Sequence, residues 1–310
     1  MHKQLRKKRG CGLGRRQASQ IGASGGWNTL GQLHNKQRGG LMNRKSRLAM
    51  VLVAAGLVGA TTATRAADLW LYALPSYSTG SYGTGVTTQI EEITYGGSVT
   101  STAIDFKDGA MNKLTFSAWV PFVSVQGSGV ITSDGRVIGR RGTIGPVTTT
   151  TGWGDWQTQI SDTYSASFGS IEPYVGLKLV TGTRALGTDE NDFNFGAIYN
   201  SPQITIGKST HSTPFVSMSY TVMGKPPGLA LQNYAGYEAG LNTYALDGYV
   251  SGSLSYTGSA QLGFPAATAA NVSWGRNLLK GRSAFHVGLS MGLSNGSPNW
   301  STWMSLGIYV

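Results

Sequence analysis

The sequence predicts an all-β fold, an antiparallel transmembrane outer-membrane β-barrel of about twelve strands. Three observations carry this expectation. Residues 283–310 alternate almost without a break, with Phe285, Val287, Leu289, Met291 and Leu293 on one face and His286, Gly288, Ser290, Gly292 and Ser294 on the other. Successive strand side chains point to opposite faces, so one side of this stretch is apolar and the other small and polar, as a wall between lipid and a wet lumen requires. The chain beyond residue 66 is rich in glycine and aromatics and poor in charge, yet holds no apolar run long enough for a membrane helix. Ahead of that body lies a stretch with the layout of an export signal.

The N-terminal third of the charge belongs to the leader. Residues 1–66 carry 13 of the 25 Lys and Arg and no Asp or Glu, so the remaining 12 basic and 14 acidic residues leave the body near −2. The overall +11 is therefore no sign of a nucleic-acid partner. Residues 1–41 read as a disordered basic extension, the pattern of a start assigned upstream of Met42. Residues 42–66 read as a secretory signal peptide: Arg44, Lys45 and Arg47, an apolar core over residues 48–60, then small residues with Thr64 and Ala66 before the expected cut. Residues 67–310 are read as one barrel domain. The only cysteine, Cys11, lies in the leader, which removes a disulfide framework, a Cys-based zinc site and a cysteine nucleophile from the body. Two body histidines are too few to propose a metal site, no Walker loop or nucleotide fingerprint is present, and no cofactor is expected.

In chain order, the first strand is expected over residues 69–77, with Pro75 tolerated at an edge or a bulge. Residues 93–104 form the second strand, Lys107-Asp108-Gly109 a tight turn, and residues 113–125 the third, with Leu114, Phe116, Ala118, Val120 and Phe122 on one face. Residues 126–151 form a long connection carrying Arg136, Arg140 and Arg141; a loop of this length suggests an external one, and its arginines are candidates for lipopolysaccharide phosphates or a solvated face. The fourth strand is placed at 153–164, the fifth at 173–181 and the sixth around Phe193, Phe195, Ala197 and Tyr199. The seventh is placed at 214–223, the eighth at 234–245, the ninth at 249–257 after an Asp247-Gly248 turn, the tenth at 269–275, and the last pair in residues 283–310. With both barrel ends in the periplasm, the connections after odd strands lie outside, which puts the tight turns inside and the long arginine loop outside. A soluble sandwich also alternates, but an export signal, an inward face of Gly and Ser, and an apolar strand running to the last residue argue for the barrel. Val310 stands where barrels of this kind end in an aromatic residue for the barrel assembly machinery, so weaker recognition by that machinery is expected.

Between Leu114 and Tyr199 the motifs follow an order: Val120-Pro121-Phe122-Val123, a long loop, Gly152-Trp153-Gly154-Asp155, Val175-Gly176-Leu177-Lys178-Leu179, Thr181-Gly182, Leu186-Gly187-Thr188 and Asp192. This order resembles the outer-membrane barrel family named after the meta-pathway of phenol degradation, whose members have a Gly-x-Gly-Asp strand start and a Leu-Pro-Thr-Gly strand end. Val180 replaces the family's proline. The resemblance implies a transporter-like barrel associated by name with aromatic compounds.

Parity places Lys178, Glu238, Asn242 and Asp155 on the lumen side, either as charges and polar groups that bias what passes or as a network that fills the barrel. Trp119, Tyr174, Tyr244 and Trp303 are candidates to face a solute or to belong to interface girdles. His286 and Ser290 share the inward face but stand four residues apart, roughly 13 Å, beyond hydrogen-bond reach, so no enzyme activity is expected and a barrel-wall lipid hydrolase is the least favoured reading. The leading expectation is a barrel in the bacterial outer membrane, surrounded by lipid and lipopolysaccharide, that passes or binds small aromatic or hydrophobic solutes. The alternative is a structural or interaction protein with a filled lumen.

Overall fold

A computed structural model describes residues 68–101, 104–105, 111–127, 130–131, 137–138, 147–183, 186–206, 210–226 and 230–310. The expected signal peptide and basic extension, the Lys107-Asp108-Gly109 turn, and Arg136, Arg140 and Arg141 lie outside the described residues. The wall is built from twelve long strands. They are β1 (Asp68–Gly80), β2 (Thr88–Thr100), β3 (Met111–Gly127), β4 (Trp156–Ala166), β5 (Gly169–Leu179) and β6 (Asp192–Asn200). The second half comprises β7 (Thr210–Val222), β8 (Tyr234–Ala245), β9 (Gly248–Thr257), β10 (Ala267–Leu278), β11 (Ser283–Gly292) and β12 (Trp300–Tyr309).

Each strand pairs antiparallel with its sequence neighbours, and β12 pairs with β1 from Trp70↔Tyr309 to Thr79↔Trp300. The ring therefore has no free edge, which satisfies the backbone groups a membrane leaves without water. At one end lie the start of β1, the end of β12 and tight turns such as Ser167-Phe168 and Leu246-Asp247; the longer connections 81–87, 180–191, 258–266 and 293–299 lie at the other. These are called below the turn end and the loop end.

The continuous register sorts every strand into two faces. Outward go Leu114, Ile160, Val175, Leu177, Met218, Leu254, Val272, Leu289 and Leu306, all solvent-exposed apolar side chains. Aromatic pairs bracket this band on the outer face: Tyr77 with Trp300, Phe122 with Trp153 and Phe195 with Tyr220 toward the loop end, Tyr164 with Phe168 and Trp274 with Phe285 toward the turn end. An apolar belt between two aromatic girdles is the outer surface of a membrane barrel.

Three expectations change. The second strand begins at Thr88 rather than Ile93 and ends at Thr100, because Thr88–Glu92 pair with Ser76–Gly80 of β1 and so extend the ladder that the Glu91-Glu92 pair disguises. The fourth strand is split: Thr148–Trp153 pairs with the loop-end half of β3, and β4 starts afresh at Trp156. Pro121, which has no N–H, sits opposite the break, and Gly154 N donates to its carbonyl at 2.8 Å. The β8–β9 turn is centred one residue earlier than Asp247-Gly248, since Leu246 (φ 54°) and Asp247 (φ 56°) are the two left-handed residues. That is the mirror-image geometry that matches strand twist. Pro75 sits within β1 without shifting register: the β12 ladder skips Leu74 and Pro75 and resumes at Ser76↔Trp303.

Candidate functional site

The inner face is where the sequence is most economical in side-chain volume. Inward positions of β8 to β11 include Gly236, Gly240, Ser251, Ser253, Ser255, Ala269, Asn271, Gly275, Gly288 and Ser290. Around the ring, inward rings lie on inward glycines of the adjoining strand. Tyr72 lies on Gly96, Trp70 on Gly307, Trp303 on Gly288, Tyr174 on Gly196, Phe215 on Gly240 and His286 on Gly275. A methyl group on any of these six glycines would come within 3.0 Å of the ring atoms. The glycines are seats: they let each ring lie along the wall instead of projecting across the lumen. Trp119 borders Gly96 from the other side, opposite Tyr72, and Trp70 also packs at a tilt of 42° against Tyr309 with centroids 4.5 Å apart.

Between these rings runs a polar ladder. Ser290 Oγ donates to Asn271 Oδ1 (2.7 Å), Asn271 Nδ2 donates to Ser253 Oγ and Ser255 Oγ (3.2 Å each), and Ser253 Oγ donates to Glu238 Oε1 (2.6 Å). Across the lumen, Thr94 Oγ1 donates to Glu92 Oε1.

At the loop end a charged knot closes one sector. Lys178 Nζ, in a side chain only 3% exposed, lies 2.8 Å from Asp192 Oδ2 and 3.5 Å from Asp155 Oδ2, and donates to Thr188 Oγ1 at 2.7 Å. Asp155 Oδ1 accepts Thr181 N (3.0 Å) and Gly182 N (2.9 Å), while Asp192 Oδ1 accepts Gly224 N (2.8 Å). Gly187 fits only because it lacks a Cβ, which would stand 2.8 Å from Asp155 Oδ2. The break at Gly154 and Asp155 thus has a function in the fold: it turns the carboxylate toward the 180–191 connection and ties that connection to the wall. Leu186, carried on it, packs with Tyr82, Ile90, Val123 and Val125 into a buried cluster, and Tyr82 is bonded to Ser78 through its hydroxyl. Ile90, Val123 and Val125 are inward residues of β2 and β3, so two loops fold into the mouth.

The register places Trp119, Tyr174, Lys178, Glu238, Asn242, His286 and Trp303 on inward positions. Lys178 and Asp155 are brought together in the knot. Tyr244 has inward parity but is 56% exposed at the turn end, edge-on to Tyr249 at 5.4 Å. Ser290 is bonded to Asn271, and the imidazole of His286 lies over Gly275 opposite Ser305. Sequence reasoning missed Glu92, Trp70, Tyr72 and Phe215. Glu92 fell ahead of the expected strand start; the other three follow from the alternation that located their neighbours.

No protein-family model and no curated protein matches the chain. Among solved structures, the fold is similar to the COG4313 outer membrane channel from Pseudomonas putida F1. The TM-score is 0.56 at 14% identity, covering 80% of this chain and 97% of that one. Looser superpositions are found with the transport unit of the autotransporter AIDA-I from Escherichia coli (TM-score 0.43, 8% identity, 85% of this chain and 97% of that one) and with OprB from Pseudomonas putida (0.31, 10%, 83% and 95%). The chain has the fold of an outer-membrane β-barrel. The likeness is one of fold and leaves the motif resemblance to the phenol meta-pathway family without a matching family model.

Proposed function

We propose that this protein is a channel of the bacterial outer membrane that lets small solutes through its lumen, and that aromatic or hydrophobic solutes are among them. The observation that carries the reading is the seating of inward rings on inward glycines. About eight strands enclose an interior that side chains just fill, and diameter grows with strand number. A ring of twelve strands whose inner wall is Gly, Ser and flattened aromatics therefore has more room than its side chains take up. Flat rings offer an aromatic solute stacking surfaces, and the ladder from Ser290 to Glu238 offers it hydrogen-bond partners. The similarity to an outer membrane channel supports the same reading. In this reading the turn end faces the periplasm and the loop end faces outward, in lipopolysaccharide.

The Tyr82–Leu186 cluster at the mouth favours a second reading, a barrel whose lumen stays closed and which acts by display or contact. Planar-bilayer recording with liposome flux separates the two. The channel reading expects discrete conductance steps and entry of small solutes such as phenol into barrel-containing liposomes above the protein-free leak. Silence in both assays from heat-modifiable, folded protein would leave only the second.

A further inference from the structure

Resting on the channel reading, we propose that the lumen prefers cations, and among small aromatic solutes those carrying an ammonium group, because Glu92 and Glu238 face one another across it. Strands β2 and β8 are six apart in a closed ring of twelve, so they stand on opposite walls. Glu92 is the fifth residue of β2 and Glu238 the fifth of β8, each counted from the loop end. Both are inward: Glu92 pairs with Ser76 and Val123, Glu238 with Ser217 and Ser255. Each accepts a hydrogen bond from a wall hydroxyl, Thr94 for Glu92 and Ser253 for Glu238. Hydrogen bonds of this kind fix the direction in which a carboxyl group points.

Among the described residues neither glutamate has a cationic partner, and the one lumen lysine toward the loop end, Lys178, is held between two carboxylates. The knot therefore carries two acids to one base and adds to the same sign. The other inward ionisable groups, Asp68, Lys113, Glu172 and His211, lie toward the turn end, and His286 is the fourth residue of β11 from that end. Along the described inward strand positions, counted from the loop end, two unpaired acids on facing walls thus come before any unpaired base. Charges lining a pore bias permeation most where few waters screen them.

Aromatic surface adjoins both acids on the turn-end side. Phe215, seated on Gly240, follows Glu238 by one inward position; Tyr72 and Trp119 flank Gly96, two inward positions beyond Glu92. A ring face attracts a cation and stacks with an arene, so carboxylate and ring together suit an arylammonium ion and repel an arylcarboxylate of the same size.

The test is the reversal potential of the full-length protein in planar bilayers under a KCl gradient, with liposome uptake of benzylammonium against benzoate. Expected are a potassium-over-chloride permeability ratio above one and faster entry of benzylammonium. The Glu92→Gln, Glu238→Gln double variant should lose most of both preferences while retaining heat-modifiable mobility. Should the double variant fail to fold, each single substitution must lower the ratio by itself. A wild-type ratio at or below one, faster benzoate entry, or a preference unchanged in folded variants overturns the inference and leaves the channel reading standing. Absence of any conductance and uptake overturns both.

Discussion

A ring seated on a glycine is a matched pair, so the two residues should be energetically coupled. Gly288→Ala would push a methyl into the indole of Trp303, and overpacking of this kind costs roughly 1–3 kcal/mol. In a double-mutant cycle with Trp303→Ala, the cost of the added methyl should largely vanish, because the indole is no longer there to be displaced. Urea unfolding followed by heat-modifiable mobility gives the four values; strictly additive losses would show that Trp303 does not use this seat. Leu246 is a second residue with a testable misfit. Its φ of 54° is a conformation that branched apolar side chains disfavour by roughly 1–2 kcal/mol and that asparagine tolerates. Leu246→Asn should therefore stabilise the barrel by about 1 kcal/mol, and a fall in the unfolding midpoint would contradict the turn geometry.

At the scale of elements, the 180–191 connection is held by Lys178 more than by its own backbone. Lys178→Met leaves Asp155 and Asp192 buried without their shared cation, a change that costs roughly 3–5 kcal/mol where nothing else compensates. The connection should then leave the mouth, exposing it to proteolysis and enlarging single-channel conductance; an unchanged cleavage pattern and conductance would mean that the knot does not hold it. This element also marks the limit of what alternation reveals. β8 was legible to the residue over Tyr234–Ala245 because a half-buried strand writes its two faces into every second position. The ordered Gly, Asp, Lys and Thr motifs were legible as a set, but their meeting at one point was not, since Asp155, Lys178 and Asp192 belong to three separate elements and no local pattern records a distance between them. β2 was misplaced for a related reason: two acids at its loop end resemble a solvated loop, and only pairing with β1 shows that Glu92 faces a lumen.

For the whole molecule, the decisive property is that the barrel is inside out, apolar outward and small or polar inward. Leu289, 48% exposed on the outer wall, is therefore a lipid contact, and Leu289→Arg should cost roughly 2–4 kcal/mol in a bilayer if it lies near the midplane. A soluble sandwich would tolerate an arginine at so exposed a position, and full tolerance in liposomes would contradict the outward assignment. The sequence reading had this architecture from alternation, from the placement of short turns against long loops, and from the Gly and Ser of the inner face. The resting size of the passage depends on loops folded into the mouth, which strand periodicity does not describe. Single-channel recording of the folded full-length protein tests the central claim most directly. Discrete conductance steps are expected, and they should grow when Lys178→Met releases the mouth. Folded protein that yields no steps in either form would contradict that claim.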